Sequence, residues 1–169
     1  MKLKPQDVLV ALKLAVTDCR SWRQEKLAEE LGISAGEVSK SLRRLRDAEL
    51  VARGELRTLR LPFLEFLKYG LRHVLPVKRR GVAFGLPTAY AASPLRGKIV
   101  ADMLVPPVWP DPQGTVKGEA WEPIYKSAVS AAKRDDRMYQ GLALVDALRG
   151  GKARERALAD QYLRELTAA

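Results

Sequence analysis

One stretch near the N-terminus limits most strongly what this chain can fold into. Residues 21–61 read SWRQEKLAEELGISAGEVSKSLRRLRDAELVARGELRTLRL. Gly32 follows the last apolar position of one helical pattern, where a left-handed residue ends a helix at low cost. Ser34 and Glu37 then have the spacing of a capping box, which begins a second helix. The stretch therefore predicts two helices joined by a tight turn.

The second of these helices is predicted to have two unlike faces. Apolar residues recur at helical spacing and predict a buried stripe: Val38, Leu42, Leu45 and Ala48. Small and basic residues are expected on the opposite face: Gly36, Ser39, Lys40, Arg43 and Arg44. A helix enters the major groove of DNA when its leading end is slim and its flank is cationic. Ser34 and Ala35 make the leading end small, so the pattern favours a DNA-reading helix.

A short hairpin is predicted directly after this helix. Residues 50–53 and 56–61 flank Gly54 and Glu55, which suit a tight turn, so the segment indicates a small wing. Lys40 or Arg43 would contact a base, and the wing arginines would contact phosphate or the minor groove. The complete set of predicted DNA-binding residues is Ser34, Ala35, Gly36, Ser39, Lys40, Arg43, Arg44, Arg53 and Arg57.

Charge is distributed unequally along the chain, which carries a formal net charge of +10 over 169 residues. Residues 1–97 contain 19 Lys and Arg against 10 Asp and Glu, a net +9. Residues 98–169 contain 11 against 10, a net +1. The positive field therefore belongs to the half with the helix pair, and such a field attracts polyanions.

The segment GISAGEVSKSLRRLRDAELVAR resembles the helix-turn-helix of winged-helix regulators of the MarR type, and the likeness extends over about residues 6–61. The resemblance implies DNA contacts by Ser34, Ala35, Ser39, Lys40 and Arg43 on the recognition helix and by Arg53 and Arg57 in the wing. Two departures from the family pattern stand out. Glu49 occupies a position where the family usually has glycine, so the helix must end without a left-handed glycine. The wing is also short, which argues against deep minor-groove insertion.

The first and last parts of the chain are predicted to be helical. Residues 6–17 have one amphipathic stripe, and Ser21 with Gln24 suggests a cap for the following helix. Pro62 suits the first turn of a further helix. In the C-terminal part, a helix is expected from Pro123 to about residue 132, and Asp135 is expected to cap the next. The expected apolar stripes of the last two helices are Met138, Leu142, Val145 and Leu148, and Leu158, Tyr162 and Leu166.

The middle of the chain is rich in proline and glycine. Residues 77–120 are predicted to be an ordered connector, within which 99–105 form a short strand or helix. The predicted fold class is thus mainly α: a winged helix-turn-helix domain with a small β-hairpin wing over 1–76, the connector 77–120, and a helical extension over 121–169. That extension would serve as a dimer or partner interface.

Few residues point to other chemistry. Cys19 is the only cysteine and His73 the only histidine, so neither a disulfide nor a multi-cysteine zinc site is expected. The flanking Asp18 and Arg20 leave two interpretations of Cys19, a redox-sensing thiol of lowered pKa or a half-buried spacer. No nucleophile elbow, P-loop or dinucleotide motif occurs. We therefore expect no catalysis, cofactor or metal. A cytoplasmic protein is expected because no long apolar run or secretory signal is evident, and a bacterial one because of the DNA-binding pattern.

The sequence therefore predicts sequence-specific binding of double-stranded DNA, as a transcriptional repressor or regulator acting as a homodimer. The apolar stripes of the terminal helices, with helix 6–17, are the expected dimer interface. Five cations per protomer would give a salt dependence with a slope of about −9. The alternative is an antitoxin or adaptor whose residues 77–169 bind a protein, since residues 62–169 resemble small bacterial helix-turn-helix proteins encoded beside nucleotidyltransferase-like toxins. A three-helix unit for protein contacts and an RNA-binding winged helix also remain open.

Overall fold

The fold is described by a computed structural model, in which residues 2–99 and 105–168 are placed. Its elements, in chain order, are α1 (Pro5–Val16), α2 (Gln24–Leu31), α3 (Ala35–Asp47), α4 (Arg60–Glu65), a π-helical turn (Phe66–Gly70), α5 (Leu71–Val74), β1 (Arg79–Pro87), a 3₁₀ turn (Ala89–Ala91), β2 (Pro107–Pro110), β3 (Val116–Trp121), α6 (Ala128–Arg134), α7 (Asp136–Gly150) and α8 (Ala153–Leu166). None of the helices within these ranges is long and apolar enough to cross a lipid bilayer.

Two helices, α1 and α7, form the centre of the core. Helix α1 packs against α3 and also against α7, and every residue from Val8 to Leu12 is at most 2% exposed. In α7, all residues from Gly141 to Arg149 are buried. The prediction of one buried stripe for residues 6–17 was therefore too narrow, because α1 is covered on several sides. One continuous hydrophobic core extends from Val8 to Leu163.

A buried ion pair connects α1 to the beginning of α7. Lys13 Nζ lies 2.6 Å from Asp135 Oδ2 and 3.4 Å from Glu30 Oε2. Asp135 is also the N-cap of α7, as predicted, since its Oδ1 accepts hydrogen bonds from the backbone N–H groups of Arg137 and Met138. Burial raises the pKa of Asp135, but the hydrogen bond and charge of Lys13 outweigh it, and the net effect lowers that pKa.

The middle segment, residues 77–120, contains most of a three-stranded sheet. This corrects two predictions: that the segment is a connector, and that the hairpin after α3 is the only β-structure. Strand β1 pairs antiparallel with β2 and with β3, and β2 pairs with β3 in parallel, so the three strands close on themselves. A Cβ atom at Gly85 would collide with the Trp109 carbonyl, so close strand approach requires glycine there. The undecided segment 99–105 falls largely on residues 100–104, outside the described ranges.

Several predicted helix boundaries and faces were also wrong. Helix α2 has Arg23 at its N-cap and no side-chain cap, so the Ser21–Gln24 pair does not begin it. Helix α6 begins at Ala128 rather than at Pro123. In α8, the fully buried apolar residues are Ala159 and Leu163. The predicted stripe, which lies one position earlier, is only partly buried: Leu158, Tyr162 and Leu166.

These burial patterns also correct the α1 and α7 parts of the expected dimer interface, while the partly buried stripe of α8 stays a prediction. The apolar side chains of α1 and α7 already pack against each other and against the rest of the protomer. In particular, the Leu12 side chain lies against Gly141. Because these apolar surfaces are covered within one chain, they are not free to join two protomers.

Candidate nucleic-acid interface

The turn between α2 and α3 is built as the sequence predicts. Gly32 ends α2 in the left-handed conformation, at φ +65°. Ser34 is the N-cap of α3, and its Oγ accepts a 3.1 Å hydrogen bond from the Glu37 backbone N–H. The reciprocal half of the capping box is absent from the described contacts, because the Glu37 carboxylate accepts hydrogen bonds from Gln6 and Arg44 instead. The two short caps set the orientation of α3 relative to α2.

The outward face of α3 carries most of the predicted contact residues. The exposed members are Ser34, Ala35, Gly36, Ser39, Lys40 and Arg43. Neither Lys40 nor Arg43 forms an ion pair with a residue in the described ranges. The inward face buries Val38, Leu42 and Leu45, as predicted. The helix therefore presents small residues at its N-terminal end and cations one and two turns further along.

Arg44 does not belong to the outward face, and its predicted placement there was wrong. Its guanidinium forms a bidentate contact with Asp7, at 2.8 Å from Nε to Oδ2 and 2.7 Å from Nη2 to Oδ1. The same Nη2 lies 3.2 Å from both Glu37 Oε1 and Ser41 Oγ. One helical position turns a side chain by about 100°. Arg44 thus faces α1 although Arg43 faces solvent.

The Asp7–Arg44 pair fixes α3 to the core. The Arg44 side chain is 13% exposed and that of Asp7 only 1%. The hydrogen bonds that Arg44 donates to Asp7 raise the pKa of Arg44 above its ordinary value. Because the carboxylate is buried, removal of the arginine would leave an uncompensated charge, at a cost of about 3–5 kcal/mol. Arg44 thus positions the helix and is not available as a contact residue.

The predicted hairpin is present in a minimal form. Val51 and Thr58 form an isolated antiparallel bridge. The Ala52 N–H donates to the Arg57 carbonyl, at 2.9 Å, and the left-handed Gly54 makes the turn at φ +78°. A hairpin of this length is stable in water only when other elements support it.

Two residues that sequence reasoning missed provide this support. Thr58 Oγ1 donates a 2.6 Å hydrogen bond to the Ala11 carbonyl in α1. From α3, the Arg46 guanidinium donates to the carbonyls of Ala52 and Glu55, at 3.2 and 3.3 Å. Thr58 thus connects the hairpin to α1, and Arg46 connects it to α3. The only sequence signal for Arg46 is its position in the last turn of a helix before a hairpin.

The two wing arginines differ in how far they are neutralised. Both are exposed. Arg57 Nε lies 3.0 Å from Glu55 Oε2, with both side chains about half exposed. Arg53 has no such partner within the described ranges. Exposed ion pairs of the Arg57 type are weak, so a phosphate can compete for the guanidinium.

A further group of arginines adjoins the wing and was missed by sequence reasoning. Arg20, Arg23 and Arg46 line an open polar cleft between the beginning of α2 and the hairpin, together with Glu25 and Glu55. Arg20 is paired with Asp18 at 2.9 Å, whereas Arg23 is exposed and lacks an ion pair among the described residues. Arg23 therefore adds an unpaired cation to the cleft beside the hairpin.

Helix α3 ends in an unusual way. Its C-cap is Ala48, and the next residue, Glu49, takes a left-handed conformation with φ +56°. The Leu50 N–H closes the end by donating to the Leu45 carbonyl, at 2.8 Å. The helix thus ends without a glycine, as expected. The left-handed conformation that glycine usually takes at this position is taken by Glu49 instead. This conformation costs a non-glycine residue roughly 1 kcal/mol.

Cys19 and His73 add no chemistry to the site. Cys19 is buried, and burial raises the pKa of its thiol to about 11. The interpretation of Cys19 as a redox-sensing thiol of lowered pKa was therefore wrong, and the residue is a buried spacer. His73 is exposed at the end of α5, and within the described ranges no three His, Cys, Asp or Glu side chains form a cluster that could hold a metal ion.

The candidate interface thus combines the outward face of α3, the hairpin and the beginning of α2. Its unpaired cations are Lys40, Arg43, Arg53 and Arg23, counted over the described residues. Contacts of Arg44, Arg46 and Thr58 hold α3 and the hairpin in place. Comparison with protein-family models, curated proteins and solved structures finds no match to this chain.

Proposed function

We propose that this protein binds double-stranded DNA through α3 in the major groove and acts as a transcriptional regulator, in the simplest case a repressor. The observation that carries the proposal is the contrast on α3: Lys40 and Arg43 are exposed and unpaired among the described residues, while Arg44 fixes the helix to the core. A preorganised cationic helix loses little conformational freedom on binding. The small residues at its N-terminal end let the backbone approach base edges.

The arrangement around α3 supports the same proposal. In a winged helix-turn-helix, a hairpin lies beside the recognition helix and contacts the DNA backbone. Here the hairpin is held to α3 by Arg46 and to α1 by Thr58. Arg53 and Arg57 at its surface suit phosphate contacts, which position a protein on DNA without reading its sequence. We propose that base reading rests on Lys40 and Arg43.

The salt dependence of binding tests this assignment directly. Removing Arg44 from the set leaves four cations per protomer that would neutralise phosphate charge when bound to DNA, whether they contact a phosphate or a base between phosphates: Lys40, Arg43, Arg53 and Arg57. A homodimer then neutralises about eight phosphates, and log K should fall with log salt at a slope of roughly −7. A monomer would give roughly half that slope, near −3.6. A slope near zero in a fluorescence-anisotropy titration contradicts DNA binding.

A matched pair of variants makes the test specific to α3. Lys40→Gln should weaken binding and make the slope of a dimer shallower by about 2, because each protomer loses one cation that neutralises phosphate charge. Lys117→Gln removes the same charge from an exposed position on β3 and should leave both unchanged. Equal effects of the two variants would mean that overall charge, and not α3, drives binding. Selection from a random DNA pool should recover a palindrome.

We also propose a homodimer, since two-fold symmetry doubles the contacts on a palindromic site. With the apolar faces of α1 and α7 covered, the best remaining surface is the helical segment that follows the wing, where Leu61 and Tyr69 are large exposed apolar side chains. Tyr69→Lys should convert the dimer to a monomer in light scattering. Val82→Lys introduces the same charge at an exposed apolar site on β1 and should not. A monomeric wild-type chain contradicts this part.

The adaptor or antitoxin function remains the second candidate, and one observation favours it. Val82 and Phe84 are both exposed on β1, within the region first assigned to partner binding. An exposed apolar pair of this kind suits a protein contact better than a nucleic-acid backbone. Co-expression with the product of the neighbouring gene should give a stable complex that Phe84→Ser disrupts. A wild-type chain that forms this complex but does not bind DNA would support the adaptor function alone.

An RNA duplex provides the test for the remaining nucleic-acid alternative. The major groove of A-form RNA is deep and narrow, so a helix inserted for base reading cannot enter it. We expect a DNA duplex to bind far more tightly than an RNA duplex of the same sequence. Equal or tighter RNA binding would replace the groove-reading model with an RNA-binding one.

A further inference from the structure

The end of α7 contains a buried arginine without a hydrogen-bond partner. The Arg149 side chain is only 4% exposed. Its guanidinium makes no hydrogen bond within the described ranges, and its Nε is sealed from solvent without a partner. Guanidinium groups have five N–H donors, which buried arginines normally satisfy. Within the described ranges, Arg149 Nε and Ser127 Oγ are the buried side-chain polar atoms without a hydrogen-bond partner, and of the two only Arg149 carries a charge.

The neighbouring carboxylate of Asp146 compensates part of its charge but accepts no hydrogen bond from it. The closest approach, from Arg149 Nη1 to Asp146 Oδ1, is 3.8 Å, which is too long for a hydrogen bond. Asp146 is fully buried, and its other oxygen accepts from Thr88 Oγ1 at 2.8 Å and from Trp109 Nε1 at 2.7 Å. Burial raises the pKa of Asp146 and lowers that of Arg149. Asp146 thus forms its hydrogen bonds with Thr88 and Trp109, and the N–H donors of the Arg149 guanidinium are left without an acceptor in the described ranges.

Arg149 lies in the wall of a cleft of about 280 Å³ that opens to solvent. The cleft is bounded by the beginning of α1, the segment after α5 and the segment after β3. Most of its lining is apolar or proline: Pro5, Val74, Leu75, Pro76, Pro123 and Ile124. The remaining lining residues are Lys78 and Glu122. Arg149 therefore borders a small and mainly apolar space.

The charges around the cleft favour a single negative charge in it. Glu122 is exposed and already paired with Arg80, at 3.2 Å. Lys78 is exposed, with no ion pair among the described residues. The cations near the cleft are Lys78, Arg80 and Arg149, and the carboxylates are Glu122 and Asp146. Positive charges therefore exceed negative charges by one. A monoanion balances this excess, whereas a dianion would exceed it.

We propose that this cleft binds a small organic carboxylate, with the carboxylate on the Arg149 guanidinium and the hydrocarbon part against Pro123 and Ile124. A carboxylate matches the planar fork of arginine with two parallel hydrogen bonds. The apolar lining suits a short hydrocarbon chain, and the volume is at the low end for ligand pockets. The inference is independent of the proposed DNA binding, since no residue of the cleft belongs to the candidate interface.

Calorimetry on the full chain, without DNA, tests the proposal with three probes. Hexanoate should bind saturably at one site, whereas hexanamide, its neutral isostere, should bind at least about tenfold more weakly. Inorganic phosphate, mainly a dianion at pH 7.5, should bind more weakly than hexanoate. Equal binding of hexanoate and hexanamide, tighter binding of phosphate, or no saturable binding of hexanoate below about 10 mM would each overturn the proposal.

Variants connect the binding to the named residues. Arg149→Met replaces the buried cation by an apolar chain of similar length and leaves Asp146 with only its hydrogen bonds from Thr88 and Trp109, so stability should fall and, in the folded variant, hexanoate binding should be lost. Lys78→Glu, at an exposed position, should weaken hexanoate binding severalfold even if the first variant fails to fold. Lys117→Glu makes the same charge change on β3, away from the cleft, and should have no effect. Unchanged binding in Lys78→Glu or in a folded Arg149→Met would overturn the assignment.

Discussion

The outward and inward faces of α3 carry the same kind of side chain with opposite environments. Arg43 on the outward face is exposed and unpaired among the described residues, while Arg44 on the inward face contacts Asp7, Glu37 and Ser41. Adjacent arginines in the sequence therefore contribute to different properties of the protein. The comparison shows that counting cations on a predicted recognition helix overestimates the charge that a ligand meets.

The largest expected effect is on the inward face. Arg44→Ala should lower the free energy of unfolding by about 3–5 kcal/mol, because Asp7 is left buried and uncompensated. Arg43→Ala is the matched control, and as a surface change it should shift stability by less than about 0.5 kcal/mol. Urea denaturation followed by circular dichroism measures both. Comparable losses in the two variants would erase the distinction between the faces.

The next effect belongs to the outward face and to binding. Arg43→Ala should cost roughly 1–3 kcal/mol of binding to a selected operator if Arg43 reads a base. A smaller loss is expected on a random duplex, where only its charge contributes. Anisotropy titrations with both duplexes measure the difference. An equal loss on the two duplexes would restrict Arg43 to phosphate contact, and no loss would remove it from the interface.

A smaller effect is expected where the two faces meet at the end of α3. Glu49→Gly should stabilise the protein by up to about 1 kcal/mol, because glycine adopts the left-handed conformation without strain. Glu49→Gln keeps a side chain at φ +56° and removes only the charge. Thermal unfolding should therefore separate the two variants. A more stable Glu49→Gln than Glu49→Gly would assign the effect to charge instead of backbone strain.

The smallest effect concerns pH and the inward face. Hydrogen bonds from Gln6 and Arg44 hold the pKa of Glu37 below its ordinary 4.5. A depressed carboxyl pKa contributes stability above 4.5, which is lost as the pH falls through the folded-state value. The difference in stability between wild type and Glu37→Gln should therefore shrink below pH 4.5 in urea titrations. A constant difference across this range would contradict the contribution of Glu37.

Prediction from the sequence succeeded where the determining residues are close together in the chain. The α2–α3 turn depends on Gly32, Ser34 and Glu37, and its geometry follows from local caps. The outward face of α3 follows from helical periodicity alone. Arg44 was misplaced because its environment depends on Asp7, which is 37 residues distant and belongs to a helix whose own packing was underestimated.

The sheet was missed for a related physical reason. Strand β1 pairs with β2 and β3 across intervening segments, so no tight turn marks the pairing. Gly85 and Gly118 allow close contact with neighbouring strands, yet in a sequence they resemble loop residues. Exposed Val82 and Phe84 also weaken the expected division into a buried and a solvated face. The strand pairing, the close contacts at the two glycines and the exposure of apolar residues on β1 all depend on packing between residues that are far apart in the sequence.

The position of α1 between α3 and α7 also bears on how the protein matures during synthesis. Leu12 reaches its place against Gly141 only after α7 has been made. At about 5–20 residues per second, translation leaves this side of α1 uncovered for roughly 6–30 s. A chain interrupted before α7 would present bare apolar surface to chaperones and proteases. The packing of the N-terminal helices would thus be completed only after α7 has been synthesised.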